Sequence, residues 1–111
     1  MATQQPTSLD QWSDVMPKLA ELTDTVLFGD IWERPQLSKR DRSLLTIGVL
    51  AALYRTEQLR YHIARGLTNG LSEEEIGEAL THVAFYAGWP TAVNGALVAK
   101  DVFARRREAA S

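Results

Sequence analysis

Leu-Ser-Lys-Arg-Asp-Arg-Ser-Leu at 37–44, followed by Thr-Glu-Gln-Leu-Arg-Tyr-His at 56–62, sets two helices in close succession. Ser38 with Asp41 three residues on resembles a capping box with a shortened acid, and opens a helix from about Lys39 to Arg55. Leu44, Leu45, Ile47, Val49, Leu50 and Leu53 surround its axis instead of forming one stripe, so this helix is expected to be buried on all sides. Thr56 can cap the next helix, which runs to about Asn69 and stops at Gly70. The turn between them is short. They are therefore expected to pack as a central antiparallel hairpin.

Downstream, Ser72 with Glu75 is a clear capping box, and the helix it opens ends at Gly88, a residue suited to a left-handed C-terminal position. Pro90 fits the first turn of a last helix through Val102 to Arg107, where Arg105, Arg106 and Arg107 meet the negative pole of the helix dipole. Upstream, Phe28–Leu37 reads as a connecting loop. Before it, Trp12, Val15, Leu19, Leu22 and Val26 recur at helical spacing from a cap near Ser8, with Pro17 interrupting them. Two short helices or one kinked helix are expected there. Residues 1–8 are polar and aperiodic, which reads as a loose arm ahead of one domain over 9–111. No strand-like alternation or internal repeat is visible. The fold class is all-α, with five or six helices.

A chain of 111 residues suits one domain with one core, and 45% hydrophobic with 23% charged residues is ordinary for a globular protein. A formal net charge of -2 offers no general attraction to phosphate backbones or anionic lipid, which argues against nucleic-acid and membrane partners. The uncharged stretch Ser43–Tyr54 falls short of the roughly 20 residues a membrane helix needs, and reads as a buried helix. No basic-then-apolar leader opens the chain, and with no cysteine a reducing, cytoplasmic location is the expectation.

The blocks at 37–44 and 56–62, together with Phe-Gly-Asp-Ile-Trp-Glu-Arg-Pro (28–35) and His-Val-Ala-Phe-Tyr-Ala-Gly-Trp-Pro (82–90), resemble the carboxymuconolactone decarboxylase family, whose fold is alkylhydroperoxidase-like. Relatives that reduce peroxides use a Cys-x-x-Cys pair ahead of a histidine, because a thiolate attacks the peroxide and a second thiol resolves the product. With His62 laid on that histidine, the cysteine positions fall on Arg55 and Gln58. Neither side chain does redox chemistry, so a thiol peroxidase is excluded. The resemblance implies a homo-oligomer, trimer or hexamer, with the active site near subunit contacts. It also implies a cofactor-independent loss of carbon dioxide from a small lactone diacid in aromatic catabolism.

The residues themselves bear on both expectations. In the helix from Glu73 to Ala87, Ile76, Leu80, Val83, Ala84 and Ala87 form one apolar stripe, while Phe85 faces away with His82 and Tyr86 between. Two separated faces that both favour burial point to another subunit. His62 sits about 100° from the centre of the Leu59, Ile63 and Leu67 stripe, at the border between core and exterior. Plain structure would make it a histidine hydrogen-bonded to a neighbour such as Gln58. The family motif makes it a pocket residue, and a side chain titrating near neutrality suits a general acid.

Glu57 in the same first turn complements the helix dipole, and by family position tunes His62. His82 and Tyr86 share a face with Glu78, an amphipathic edge by pattern and a cavity border by resemblance. Arg42 can pair with Glu33 or Asp41, or serve as a fork for a substrate carboxylate in competition with Arg34 and Arg60. Asn94 can cap the last helix or donate to a carbonyl oxygen.

The expected assignment is therefore His62, Glu57 and His82 in catalysis, with Arg42, Tyr86 and Asn94 binding a small carboxylate or lactone. No metal is expected, and no cofactor, since a conjugated carbonyl can accept the electrons that carbon dioxide leaves behind. Two alternatives stand beside this. One is a non-catalytic oligomeric small-molecule-binding protein of the same fold; the other is a relative catalysing a different cofactor-free decarboxylation, isomerisation or cyclisation.

Overall fold

The computed structural model describes residues 11–110, so the expected arm over 1–8 and the Ser8 cap lie outside the described residues. Within them the protein is all-α. The helices are α1 Pro17–Leu22, α2 Lys39–Ala52, α3 Thr56–Thr68, α4 Glu73–Ala87 and α5 Trp89–Ala110.

Pro17 opens α1 at its first turn and does not interrupt a longer helix. A missing N–H costs nothing at that position, and the fixed proline φ already suits a first turn. The path then widens into a π-helix, Thr23–Phe28, where the Thr23 and Thr25 hydroxyls donate to the carbonyls of Leu19 (2.7 Å) and Glu21 (2.9 Å). Such back-bonding competes with the backbone ladder and loosens it. The expected loop from Phe28 contains a 3₁₀ turn, Ile31–Glu33, which carries Trp32 into the interior.

Ser38 caps α2 by accepting the Asp41 N–H at 3.0 Å. The helix ends at Ala52 and not at Arg55, because Tyr54 turns into the left-handed region with φ 58°, a conformation uncommon outside glycine. Arg55, without a side-chain bond, is the N-cap of α3, so Thr56 stands inside the helix instead of capping it. The Asn69 amide donates to the Ser43 hydroxyl at 2.9 Å, and the Arg55 N–H to the Leu50 carbonyl at 3.0 Å. The far end of α3 thus lies beside the start of α2.

Both halves of the Ser72–Glu75 capping box form, with bonds of 3.0 and 2.9 Å. Ser72→Ala is expected to lower unfolding free energy by about 1 kcal/mol, the usual worth of an N-cap, read as a shifted denaturant midpoint at constant m. Gly88, at φ 107°, then reverses the chain where a side chain would be strained, and α5 returns along α4. A Cβ on Gly95 would come within 2.8 Å of the Leu80 side chain, so α4 and α5 approach closely only because that position is bare.

Ile47, Leu59, Ile63 and Ile76 are fully buried in a core where α3 and α4 each pack on α2 and α5, and α5 contributes Val98, Ala99 and Val102. The expectation that α2 is buried on all sides is not met within one chain. Leu45, Val49 and Leu53 remain 63%, 47% and 55% exposed, because the other helices cover only the face carrying Ser43, Ile47 and Ala51.

Candidate functional site

The exposed face of α2 and one edge of α4 form the walls of a groove of about 790 Å³. Leu44, Leu45, Val49 and Val83 make it apolar, and His82 and Tyr86 stand at its rim. Their rings lie 5.0 Å apart at 32°, one helical turn from each other, as their spacing requires. Glu78, one turn earlier, lines the same groove, as do Arg40 and Glu75, which are ion-paired to each other. A second groove of about 460 Å³ lies between α4 and α5, walled by Phe85 and Trp89 in an edge-to-face pair at 5.0 Å. Among the described residues no cluster of three or more histidines and carboxylates forms a metal site.

The expected site residues divide. His82 and Tyr86 come together in the first groove. Neither groove is lined by His62, Glu57, Arg42 or Asn94. Glu57 is exposed in the first turn of α3 and Asn94 is exposed on α5. Arg42 spends its fork on the polypeptide itself: Nε donates to the Leu37 carbonyl at 3.1 Å and Nη2 to the Arg34 carbonyl at 3.2 Å. It thereby ties down the segment that carries Trp32. Its two expected carboxylate partners are engaged elsewhere, Glu33 with Lys39 at 2.9 Å and Asp41 with Arg40 at 3.1 Å. Arg60, the other competitor, pairs with Asp101.

The cation beside the groove is Arg40, two residues before Arg42 in the same motif. Two residues are about 200° apart on a helix, so the two guanidiniums leave opposite sides of α2. Choosing between them required knowing which side faces α4. That is a tertiary fact.

His62 is not the hydrogen-bonded histidine of the plain reading. Its ring stacks on Trp32 at 5.9 Å and 20°, and Tyr61 meets it edge-on at 4.8 Å and 69°. Among the described residues, its Nδ1 is the buried side-chain atom without a hydrogen-bond partner. Burial first, and then the Arg65 guanidinium, hold its pKa down to about 4 from 6.5. At pH 7 the ring is therefore neutral.

A basic group with a lowered folded pKa takes up its proton in the unfolded chain first, so stability falls as pH drops from about 6.5 to about 4 and then levels. The loss is on the order of 1–3 kcal/mol after allowance for partial solvent screening. His62→Gln should remove this part of the pH dependence in paired chemical melts. Identical profiles for the two proteins would refute it.

A small, cysteine-free, all-α domain with an apolar groove edged by a histidine, a tyrosine and an arginine belongs to the class of helical folds that hold small molecules between helices. The chain belongs to the carboxymuconolactone decarboxylase family, whose model matches residues 17–101. It is 34% identical over 96 residues to a 4-carboxymuconolactone decarboxylase of Acinetobacter baylyi, an alignment covering 86% of this chain and 72% of that relative. It is 36% identical over 78 residues to the nitrosuccinic acid decarboxylase of Metarhizium robertsii, across 70% of this chain and 54% of that protein. The chain thus spans about half the length of the second relative.

Proposed function

We propose that this protein is a cofactor-independent carboxy-lyase acting on a small carboxylate whose departing CO₂ leaves its electron pair on an adjacent sink. The observation that carries the reading is the groove between α2 and α4, which combines apolar walls with His82, Tyr86 and Arg40. A lactone diacid fits such a volume. Apolar walls raise the energy of a bound carboxylate relative to neutral carbon dioxide, and so favour its loss.

Two similar proteins narrow the substrate class. One is named for a carboxylated lactone and the other for nitrosuccinic acid. Both molecules pair a departing carboxylate with a group that can take up negative charge, a conjugated carbonyl in the first and a nitro group in the second. In both, the carbon–carbon bond breaks, the electron pair moves onto an oxygen of that group, and the skeleton then gains one proton. Arg40, the cation beside the groove, holds a carboxylate that stays behind by exchanging its ion pairs with Asp41 and Glu75 for the substrate, a task the sequence reading gave to Arg42. Because His82 lines the groove beside Tyr86 and His62 does not, the proton comes from His82. His62 remains a hydrogen-bonding group.

His62 is absent from the groove of its own chain, and Leu45 and Val49 on the groove wall are exposed. The exposed apolar wall supports a homo-oligomer, trimer or hexamer, and in such an assembly a second copy would bring His62 to the site. Light scattering at micromolar concentration should give a multiple of the 12.4 kDa chain mass; a monomer mass would rule this out.

The deciding assay is carbon dioxide release from 4-carboxymuconolactone and from nitrosuccinic acid by the purified protein. Turnover of either above a heat-treated control is the expected result. Binding of both by calorimetry without turnover would replace the lyase by a binding protein.

A further inference from the structure

The surroundings of His62 are built more carefully than a filler position needs. Its ring is held on one face by the buried indole of Trp32, nearly parallel, and at its edge by Tyr61, whose hydroxyl in turn accepts from Arg65 Nη1 at 3.2 Å. Trp32 reaches this position from the 3₁₀ turn Ile31–Glu33, and the chain just beyond is pinned by the two hydrogen bonds from Arg42 to the Leu37 and Arg34 carbonyls. Phe28 backs the indole from behind, with ring centres 6.0 Å apart.

Within this clamp the two ring nitrogens are not equivalent. Nδ1 is sealed from solvent with no partner, whereas Nε2 is not sealed in this way. A neutral imidazole carries one hydrogen, and each tautomer leaves a different group orphaned at Nδ1. A hydrogen on Nδ1 would be a buried N–H with no acceptor, the rarer kind of orphan in folded proteins. A hydrogen on Nε2 leaves only a lone pair there.

Charging the ring would put a hydrogen on Nδ1 as well, and would add a positive charge to a helix that already carries Arg65. From the 3₁₀ turn the ring meets the uncharged indole. An aromatic face favours a cation, which works against the burial cost. The net lowering of the His62 pKa shows that burial and Arg65 prevail.

We infer that Trp32 is a positioning residue for His62: with Tyr61 it locks the ring with Nδ1 facing a dry wall, fixes the neutral Nε2–H tautomer, and so makes His62 a hydrogen-bond donor to the oxyanion that forms as carbon dioxide leaves. For its last step alone the inference rests on the carboxy-lyase reading and on a second copy bringing His62 to the groove. A neutral, preset N–H donates to a developing oxyanion without surrendering its proton, and preset donors of this kind need no reorganisation during the reaction. Trp32 acts through the orientation of His62 and touches no substrate.

Nitrogen-15 NMR of the unliganded protein tests this, since the chain contains only two histidines and His82→Gln assigns the pair. Between pH 5.5 and 8, the His62 Nδ1 should show the shift of an unprotonated ring nitrogen and Nε2 that of a protonated one. Trp32→Ala should give exchange-averaged shifts of mixed tautomers, and His62 should then titrate closer to pH 6.5. Trp32→Phe should restore the wild-type pattern. In the carbon dioxide assay Trp32→Ala should lower kcat about 10-fold or more with KM little changed, and Trp32→Phe should recover most of it.

A wild-type Nδ1–H tautomer overturns the inference even if Trp32→Ala fails to fold. So does a folded Trp32→Ala protein with an unaltered His62 spectrum. The spectra do not depend on turnover: the expected tautomer in a protein that releases no carbon dioxide would leave the placement of His62 standing and remove the lyase reading alone.

Discussion

Replacing His82 with alanine is expected to lower kcat for the natural substrate by about 10²–10⁴, the range over which a positioned proton donor contributes. The side chain is exposed on the groove rim and meets only the tilted ring of Tyr86, so helicity and melting temperature should stay near wild type. Tyr86→Phe keeps the ring that meets His82 and removes one hydroxyl, so a smaller loss is expected. His62→Ala should cost about 10²–10³, as for a single lost oxyanion donor. Steady-state kinetics on all three separates the roles. A His82→Ala enzyme near full activity, with His62→Ala inactive, would move proton delivery back to His62.

The largest stability effect is expected at Ile63, which is completely buried in the core that α3 shares with α2 and α5. Truncation to alanine removes three carbons from a packed interior, with a typical loss of about 2–5 kcal/mol. A domain of this size has on the order of 5–10 kcal/mol in all, so Ile63→Ala should be partly unfolded at 37 °C. Denaturant melts followed by circular dichroism read this directly. Leu45→Ala is the informative contrast. Leu45 is 63% exposed in the single chain, so it should cost under about 0.5 kcal/mol there, and a larger loss accompanied by a lower assembly mass would place it in a contact between copies.

Local chemistry in the chain was sufficient for the helix boundaries that depend on caps. Ser38, the Ser72–Glu75 box, Gly88 and Pro90 act within a turn of their own positions, and each stands at a helix end as expected. Pro17 and Thr56 depart from expectation for one reason: a proline or threonine suits either a boundary or a first turn, and packing selects between them. The pairing of His82 with Tyr86 was legible because a spacing of four fixes it on any helix.

What the sequence by itself determined is the set of elements and the chemistry it forbids: an all-α chain without a thiol, in the carboxymuconolactone decarboxylase family. Tertiary structure decided which groups meet. It put Arg40 and not Arg42 beside the groove, separated His62 from His82, and set Trp32 against His62 across 30 residues of chain (62 − 32). The physical reason is that periodicity fixes the angle of a side chain about its own helix but not the rotation of that helix against its neighbours. A single such rotation decides whether an arginine faces a ligand or a loop, and whether a histidine nitrogen meets water or an aromatic wall.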